Sequence, residues 1–374
     1  MIYFDNAATG FPKSRAVADA MRDACLRCGN PGRSGHVFAR AADDILYDCR
    51  KKLAAMFGSV PERVILTKSA TEALNIAIKG LYRVDGEVLC SNMEHNAVVR
   101  PLQALRMCGE ITLKQFRVDL SDDKVTVENF RIAAGARADM AVVTHGSNVC
   151  GRILPLAEMR AVITREDFLM IADCSQTAGH IPIDIKALGA DAICVPGHKG
   201  LYGPMGTGAL ILHPEKEFSF CTLIEGGSGI DSRSITMPEV LPERLEAGTP
   251  NVCGFAGLSA ALDEVSFSCK EMQLFELLVG ELKKQKDVRL HGYFEHRAYV
   301  PTLLFNRDGI DCEVLAELLA ADGIAVRAGL HCAPYAHRAL GTLETGGVRI
   351  SLGRANTETE IACFLESVKK KRVG

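Results

Sequence analysis

From about residue 60 to about residue 215, short apolar runs alternate with stretches whose apolar residues recur at helical spacing. The runs at 64–67, 87–91, 140–144, 168–173, 191–195 and 208–212 predict strands. The stretches 69–81 and 98–107 predict helices between them. Strand and helix in alternation predict an α/β fold, with a mainly parallel sheet covered on both faces. Ligands of such sheets bind at the carboxyl ends of the strands. The segment 225–249 is rich in glycine, serine and proline and predicts an extended loop. Beyond Pro250 the spacing predicts helices at 252–267 and near 273–284, then a second strand-and-helix unit from Tyr299 onward. We expect a large domain over residues 15–250. A smaller α+β domain over 251–374 is expected to be completed by residues 1–14.

The length of 374 residues suits two such domains. A formal net charge of -3 gives no argument for a nucleic acid or an anionic membrane as partner. No apolar run has bilayer-spanning length, and the start lacks an export pattern, so a cytoplasmic location is expected. The 14 cysteines are read as reduced thiols, mostly small buried hydrophobes such as Cys194 and Cys363. Cys25 and Cys28 form a C-x-x-C pair inside a helical pattern. Without a second pair this is read as chance spacing, and no metal site is expected.

Candidate chemistry sits where strands end. After the run 64–67, Ser69 and Glu72 have the S-x-x-E spacing of a capping box. A helix that starts there offers free N–H groups and a dipole to an anion, and the hydroxyls of Ser69 and Thr71 add donors. Alone this is a helix cap. It becomes a phosphate site if other groups converge on it. Two do. The strand 168–173 ends on Asp173, and the next unit ends in the turn that carries Lys199. Pyridoxal 5'-phosphate needs a lysine for its imine and an acid partner for its pyridine nitrogen.

The string Gly197-His198-Lys199-Gly200-Leu201-Tyr202-Gly203-Pro204 resembles the lysine motif of class V aminotransferase-fold enzymes. Tyr3-Phe4-Asp5-Asn6-Ala7-Ala8-Thr9, Met93-Glu94-His95-Asn96 and Glu246-Ala247-Gly248-Thr249-Pro250-Asn251 extend the resemblance along nearly the whole chain. Within that family the chain is most similar to cysteine desulfurases of the SufS-like branch, which includes selenocysteine lyases. The resemblance implies a type I pyridoxal phosphate fold with a seven-stranded-type sheet. It implies that Lys199 carries the cofactor as a Schiff base. His95 is then stacked on the ring and takes part in proton transfer, Asp173 pairs with the ring nitrogen, and Gln176 bonds the ring hydroxyl. Ala70, Thr71 and His198 meet the phosphate, and Thr249 reaches the phosphate of a partner subunit, which implies a homodimer. Asn148 lies near the ring and the substrate carboxylate, Arg349 clamps that carboxylate, and Arg327 joins it in substrate binding. One position departs from the pattern. Pro196 stands where the SufS-like branch often has a serine that binds the phosphate.

The stretch Arg327-Ala328-Gly329-Leu330-His331-Cys332-Ala333-Pro334 resembles the active-site segment of the same branch. Cys332 falls on its persulfide-forming cysteine. A cysteine that attacks sulfur acts as a thiolate, and Arg327 and His331 are expected to favour the anion. The implied activity is conversion of L-cysteine to L-alanine, with a persulfide on Cys332 and sulfur passed to an acceptor protein or small thiol. Selenocysteine lyase and, less well, a class V aminotransferase are the alternatives with the same cofactor. A sulfur carrier with little turnover is the alternative from another class. The presence of both Lys199 and Asp173 argues against it.

Overall fold

A computed structural model describes residues 1–32, 35–230 and 232–371. Its main sheet has seven strands. Their spatial order is Val64–Thr67, Gly208–Leu212, Ala192–Pro196, Leu169–Asp173, Ala138–Thr144, Gly86–Ser91 and Ile111–Phe116. All six expected strands form, with ends displaced by at most two residues. The seventh, Ile111–Phe116, is an edge strand with an exposed middle, so its apolar signal is weak. The sheet is parallel except for Gly208–Leu212, which runs antiparallel to both neighbours. Apolar pattern carries no strand direction, which is why that reversal was not foreseen.

Side chains alternate across a strand, and here the alternation assigns each residue to one of two cores. Ile193, Val195, Ala141, Val143, Ala209 and Ile211 face one cluster, with side chains from the helices Val37–Phe57 and Val252–Leu262. Ala192, Cys194, Met140, Val142, Leu210 and Leu212 face the other, under the helices Ala70–Leu81 and Asn96–Met107. Because both faces are covered, the strands read as continuous apolar runs.

A second, antiparallel sheet joins Arg327–Gly329, Gly347–Ser351, Thr302–Arg307 and Val288–His291. Its core includes Phe4, and Ile2–Tyr3 pairs with Ile324–Ala325. The N-terminal motif is thereby built against the C-terminal strands. The helix Val252–Leu262 is shorter than the expected 252–267. Nearly all of it is buried, so it has no polar stripe by which its end can be read. Between Leu212 and Val252 the described residues form turns and bends with no helix or strand, in keeping with the expected loop. That loop is pinned before Thr249. Glu246 accepts hydrogen bonds from Arg50 at 2.5 and 2.6 Å and from the Leu66 amide at 2.5 Å.

Cys194 is buried as expected, but Cys363 lies on the exposed side of the helix Glu358–Lys370. One apolar thiol among charged helix residues reads the same in sequence on either face. Cys25 ends up on the helix Arg15–Arg27 and Cys28 at its C-cap. Among the described residues no group of three or more ligating side chains is placed to hold a metal ion. No helix among them is long and apolar enough to cross a membrane.

Candidate active site

Five strand ends converge on one pocket. Ser69, Ala70, Thr71, His95, Asn148, Asp173, Gln176, His198 and Lys199 line it, and each was singled out from the sequence. The helix Ala70–Leu81 starts at the pocket wall. Ser69 caps it by accepting from the Glu72 amide at 3.2 Å. The expected capping box forms only in part, because the Glu72 carboxylate accepts from the Lys68 amide at 2.6 Å instead of from Ser69. The Glu72 and Ala73 amides find their acceptors on Ser69. Among the described residues those of Ala70 and Thr71 have no acceptor, and they stand in the pocket wall. The helix seats deeply because Gly208 passes beneath it. A Cβ on Gly208 would stand 2.7 Å from the Ser69 carbonyl carbon.

Asp173 and Lys199 follow adjacent strands, Leu169–Asp173 and Ala192–Pro196. Asp173 is buried and receives one backbone hydrogen bond, from Ser175 to Oδ1 at 3.0 Å. Its other oxygen has no protein donor among the described residues. Lys199 is half-buried, and its amine makes no hydrogen bond there either. Burial lowers its pKa from 10.5 to about 8, helped by the positive charges of Arg349 and Arg327 and opposed by Asp173. Beside it, His198 has a buried Nδ1 without a partner among the described residues. Burial and the neighbouring Lys199 bring its pKa down to about 4, so the ring is neutral. The turn that carries both residues is fixed from outside the motif. Lys13 Nζ and Thr9 Oγ1 donate to the His198 carbonyl at 2.7 and 3.0 Å.

His95 caps the helix Asn96–Met107. Its Nδ1 accepts from the Ala97 amide at 3.0 Å, so the remaining proton sits on Nε2. Burial, with Lys199 nearby, lowers its pKa to about 4. Gln176 donates Nε2 to the Ala7 carbonyl at 3.2 Å. Asn148 links the pocket to the thiol segment, with Nδ2 donating to the His331 carbonyl at 2.8 Å. The next carbonyl, that of Cys332, accepts from the Asn96 amide at 2.8 Å. Cys332 itself is exposed. Arg349 donates Nη1 to the Asn148 carbonyl at 3.0 Å and Nη2 to Asp5 at 2.7 Å, and its buried Nε has no partner among the described residues.

One expectation changes at this point. His331 does not supply positive charge to the thiol. Burial and the nearby Arg349 lower its pKa to about 3, so its ring is neutral. Arg327 is exposed. Thr249 does not line the Lys199 pocket. It lies in a separate cleft of about 680 Å³, with Lys68, Gly206, Glu246 and Asn251 among the other walls. Sequence reasoning passed over Asp5, Glu94 and Lys13. Asp5 and Glu94 lay inside quoted motifs. Glu94 is buried and accepts from Ser91 and Thr144, which locks the turn before His95. Lys13 carried no signal.

The fold and the lysine pocket together define a type I, lysine-centred α/β architecture. A family model described as aminotransferase class-V matches residues 2–364, and the chain belongs to that family. Its relatives include proteins described as probable cysteine desulfurases. One from Xylella fastidiosa is 32% identical over all of this chain and 91% of its own length. Another, from Methanothermobacter thermautotrophicus, is 30% identical over 99% of this chain and 94% of its own. Among solved structures, the apo cysteine desulfurase of Thermococcus onnurineus superposes with a TM-score of 0.92 at 28% identity, covering 99% of this chain and 94% of that one. The cysteine desulfurase CsdA of Escherichia coli superposes at 0.87 with 27% identity, covering 98% and 94%.

Proposed function

We propose that this protein is a pyridoxal phosphate-dependent cysteine desulfurase that converts L-cysteine to L-alanine and receives the sulfur on Cys332. One observation carries the reading. Lys199, Asp173 and a free helix N-terminus share one pocket, and the segment of the exposed Cys332 is tied to that pocket's walls. The residues present fit the cofactor. Lys199 offers an unbonded amine of lowered pKa to an aldehyde. The free Asp173 oxygen suits a protonated ring nitrogen. The Ala70 and Thr71 amides and the orphaned His198 Nδ1 suit a phosphate. With Pro196 in place of a hydroxyl, the phosphate leans on those donors, and on Thr249 of a second copy in a homodimer.

Bound there, the cofactor supplies an electron sink for negative charge at the substrate Cα. Lys199 Nζ takes and returns the proton at that carbon. The neutral His95 ring presents Nε2–H to the pocket. Arg349 keeps three N–H groups for a carboxylate, the buried Nε among them. The Cys332 thiolate attacks the sulfur of bound cysteine. The Cβ–S bond breaks, a proton reaches Cβ, and alanine leaves. The sulfur stays on Cys332 as a persulfide until a thiol or protein acceptor takes it.

The test is turnover of L-cysteine by the purified, cofactor-loaded protein with a thiol reductant present. Alanine and sulfide are expected in equal amounts. Amino-group transfer to a keto acid without sulfide would overturn the reading in favour of an aminotransferase. Strong preference for selenocysteine would redirect it to the lyase.

A further inference from the structure

The thiol segment is held in an unfavourable backbone form. His331 and Cys332 have φ of 51° and 55°, two consecutive non-glycine residues in the left-handed region. Such residues are strained and persist only when their surroundings over-determine them. Asn148 and Asn96 hold the two backbone carbonyls. The third hold is the His331 ring, and it leads away from the pocket into a buried chain that the desulfurase chemistry does not use.

His331 Nδ1 lies 3.1 Å from His337 Nε2, and the rings stack with centroids 5.4 Å apart. His337 Nδ1 lies 2.8 Å from Thr342 Oγ1. At the other end His331 Nε2 lies 3.2 Å from the Arg327 carbonyl. His337 is completely buried, and His331 and Thr342 nearly so. A carbonyl only accepts, so His331 must carry its proton on Nε2. Its Nδ1 is then an acceptor, and His337 must donate from Nε2. His337 Nδ1 is in turn an acceptor and takes the Thr342 hydroxyl proton at 2.8 Å, the other acceptor in reach of that hydroxyl, the His337 carbonyl, standing farther off at 3.4 Å. All polar atoms of both rings are satisfied in this single arrangement, with both rings neutral. The chain runs in one direction, from Thr342 through His337 and His331 to the backbone of Arg327.

We propose that His337 and Thr342 are positioning residues for the Cys332 thiol, acting through the His331 ring. The inference rests on Cys332 as the sulfur-accepting group. Removing the His337 donor leaves the His331 Nδ1 acceptor buried and unpaired. The ring then swings from its seat, the left-handed pair relaxes, and Sγ is displaced from the substrate sulfur. Proton exchange at the substrate Cα belongs to Lys199 and does not use the thiol.

The test compares two rates in the cofactor-loaded protein: exchange of the cysteine Cα proton with deuterated solvent, and alanine formation. In His337→Leu, alanine formation is expected to fall about tenfold or more, the scale of misplacing a reacting group. Cα exchange, KM and the cofactor absorbance stay at wild-type values. His337→Gln, whose amide nitrogen reaches the Nε2 position, restores most of the rate. Thr342→Val gives the same split in smaller degree and carries the test should His337→Leu not fold. Wild-type alanine formation in both variants overturns the proposal. So does a parallel loss of Cα exchange, or no rescue by glutamine. Cys332→Ala separates the levels: if it forms alanine normally, the thiol reading itself falls, whereas an inactive Cys332→Ala beside a normal His337→Leu sinks only the relay.

Discussion

Arg349 Nη2 stands 2.7 Å from Asp5 Oδ1, although 344 residues separate them in the chain. The guanidinium is almost wholly buried, while the carboxylate keeps 20% of its side-chain surface exposed. Burying an arginine demands a partner, and the N-terminal motif provides it. Asp5→Ala leaves that charge with the Asn148 carbonyl as its remaining acceptor. A loss of about 2 kcal/mol is expected, below the full cost of breaking a buried pair because Asp5 is partly solvated. Urea denaturation of the cofactor-loaded protein reads it, and an unchanged midpoint would contradict the pairing's role.

Arg349 is also the clamp we propose for the substrate carboxylate. Lysine in its place keeps the charge but loses the planar fork and the unpartnered Nε. Arg349→Lys is expected to raise the KM for cysteine about tenfold or more, the size of a lost charge-assisted bond. The cofactor absorbance stays as it was. An unchanged KM would remove the arginine from carboxylate binding.

The lowered pKa of Lys199 gives a pH dependence with a definite sign. The protonated amine predominates below about 8 and the neutral, nucleophilic form above it. Cofactor uptake by the cofactor-free protein is expected to rise about tenfold from near pH 7 to near pH 9 and then level off. An ordinary lysine would keep rising through pH 10. Stopped-flow absorbance of the bound cofactor distinguishes the two, and a rise that does not level off would contradict the burial effect.

Gly208 tests the phosphate cup. A methyl group there meets the Ser69 backbone at 2.7 Å and pushes the helix N-terminus off the sheet. Gly208→Ala is expected to cost about 1–3 kcal/mol, as overpacking does. Cofactor affinity is expected to weaken with it. Equilibrium dialysis of the cofactor against the variant checks this, and wild-type affinity would show that the cup tolerates the shift.

The site was legible where chemistry follows a strand in the same segment. Asp173 and Lys199 sit at the ends of continuous apolar runs, and such runs mark doubly covered parallel strands. Ser69 was legible from its spacing to Glu72, although the carboxylate turned to Lys68. What was not legible depends on contacts across the chain. Nothing near Arg349 in sequence points to Asp5. His337 lies in the short helix Pro334–Ala339, where a histidine between alanine and arginine reads as a surface residue. It is instead completely buried. The neutrality of His331 follows from its own burial and the nearby Arg349, and could not be read from its place beside Cys332.

The central claim is that Cys332 receives the sulfur of cysteine, and mass spectrometry of the protein after turnover tests it most directly. The cofactor-loaded protein is mixed with L-cysteine in the absence of reductant, quenched with an alkylating agent and digested. The peptide that contains Cys332 is expected to carry one extra sulfur atom beneath the alkyl group, with one alanine released per site. In Cys332→Ala neither product forms, while the cofactor stays bound to Lys199. Alanine formed at the wild-type rate by Cys332→Ala, or extra sulfur found only on other cysteines, would contradict the account.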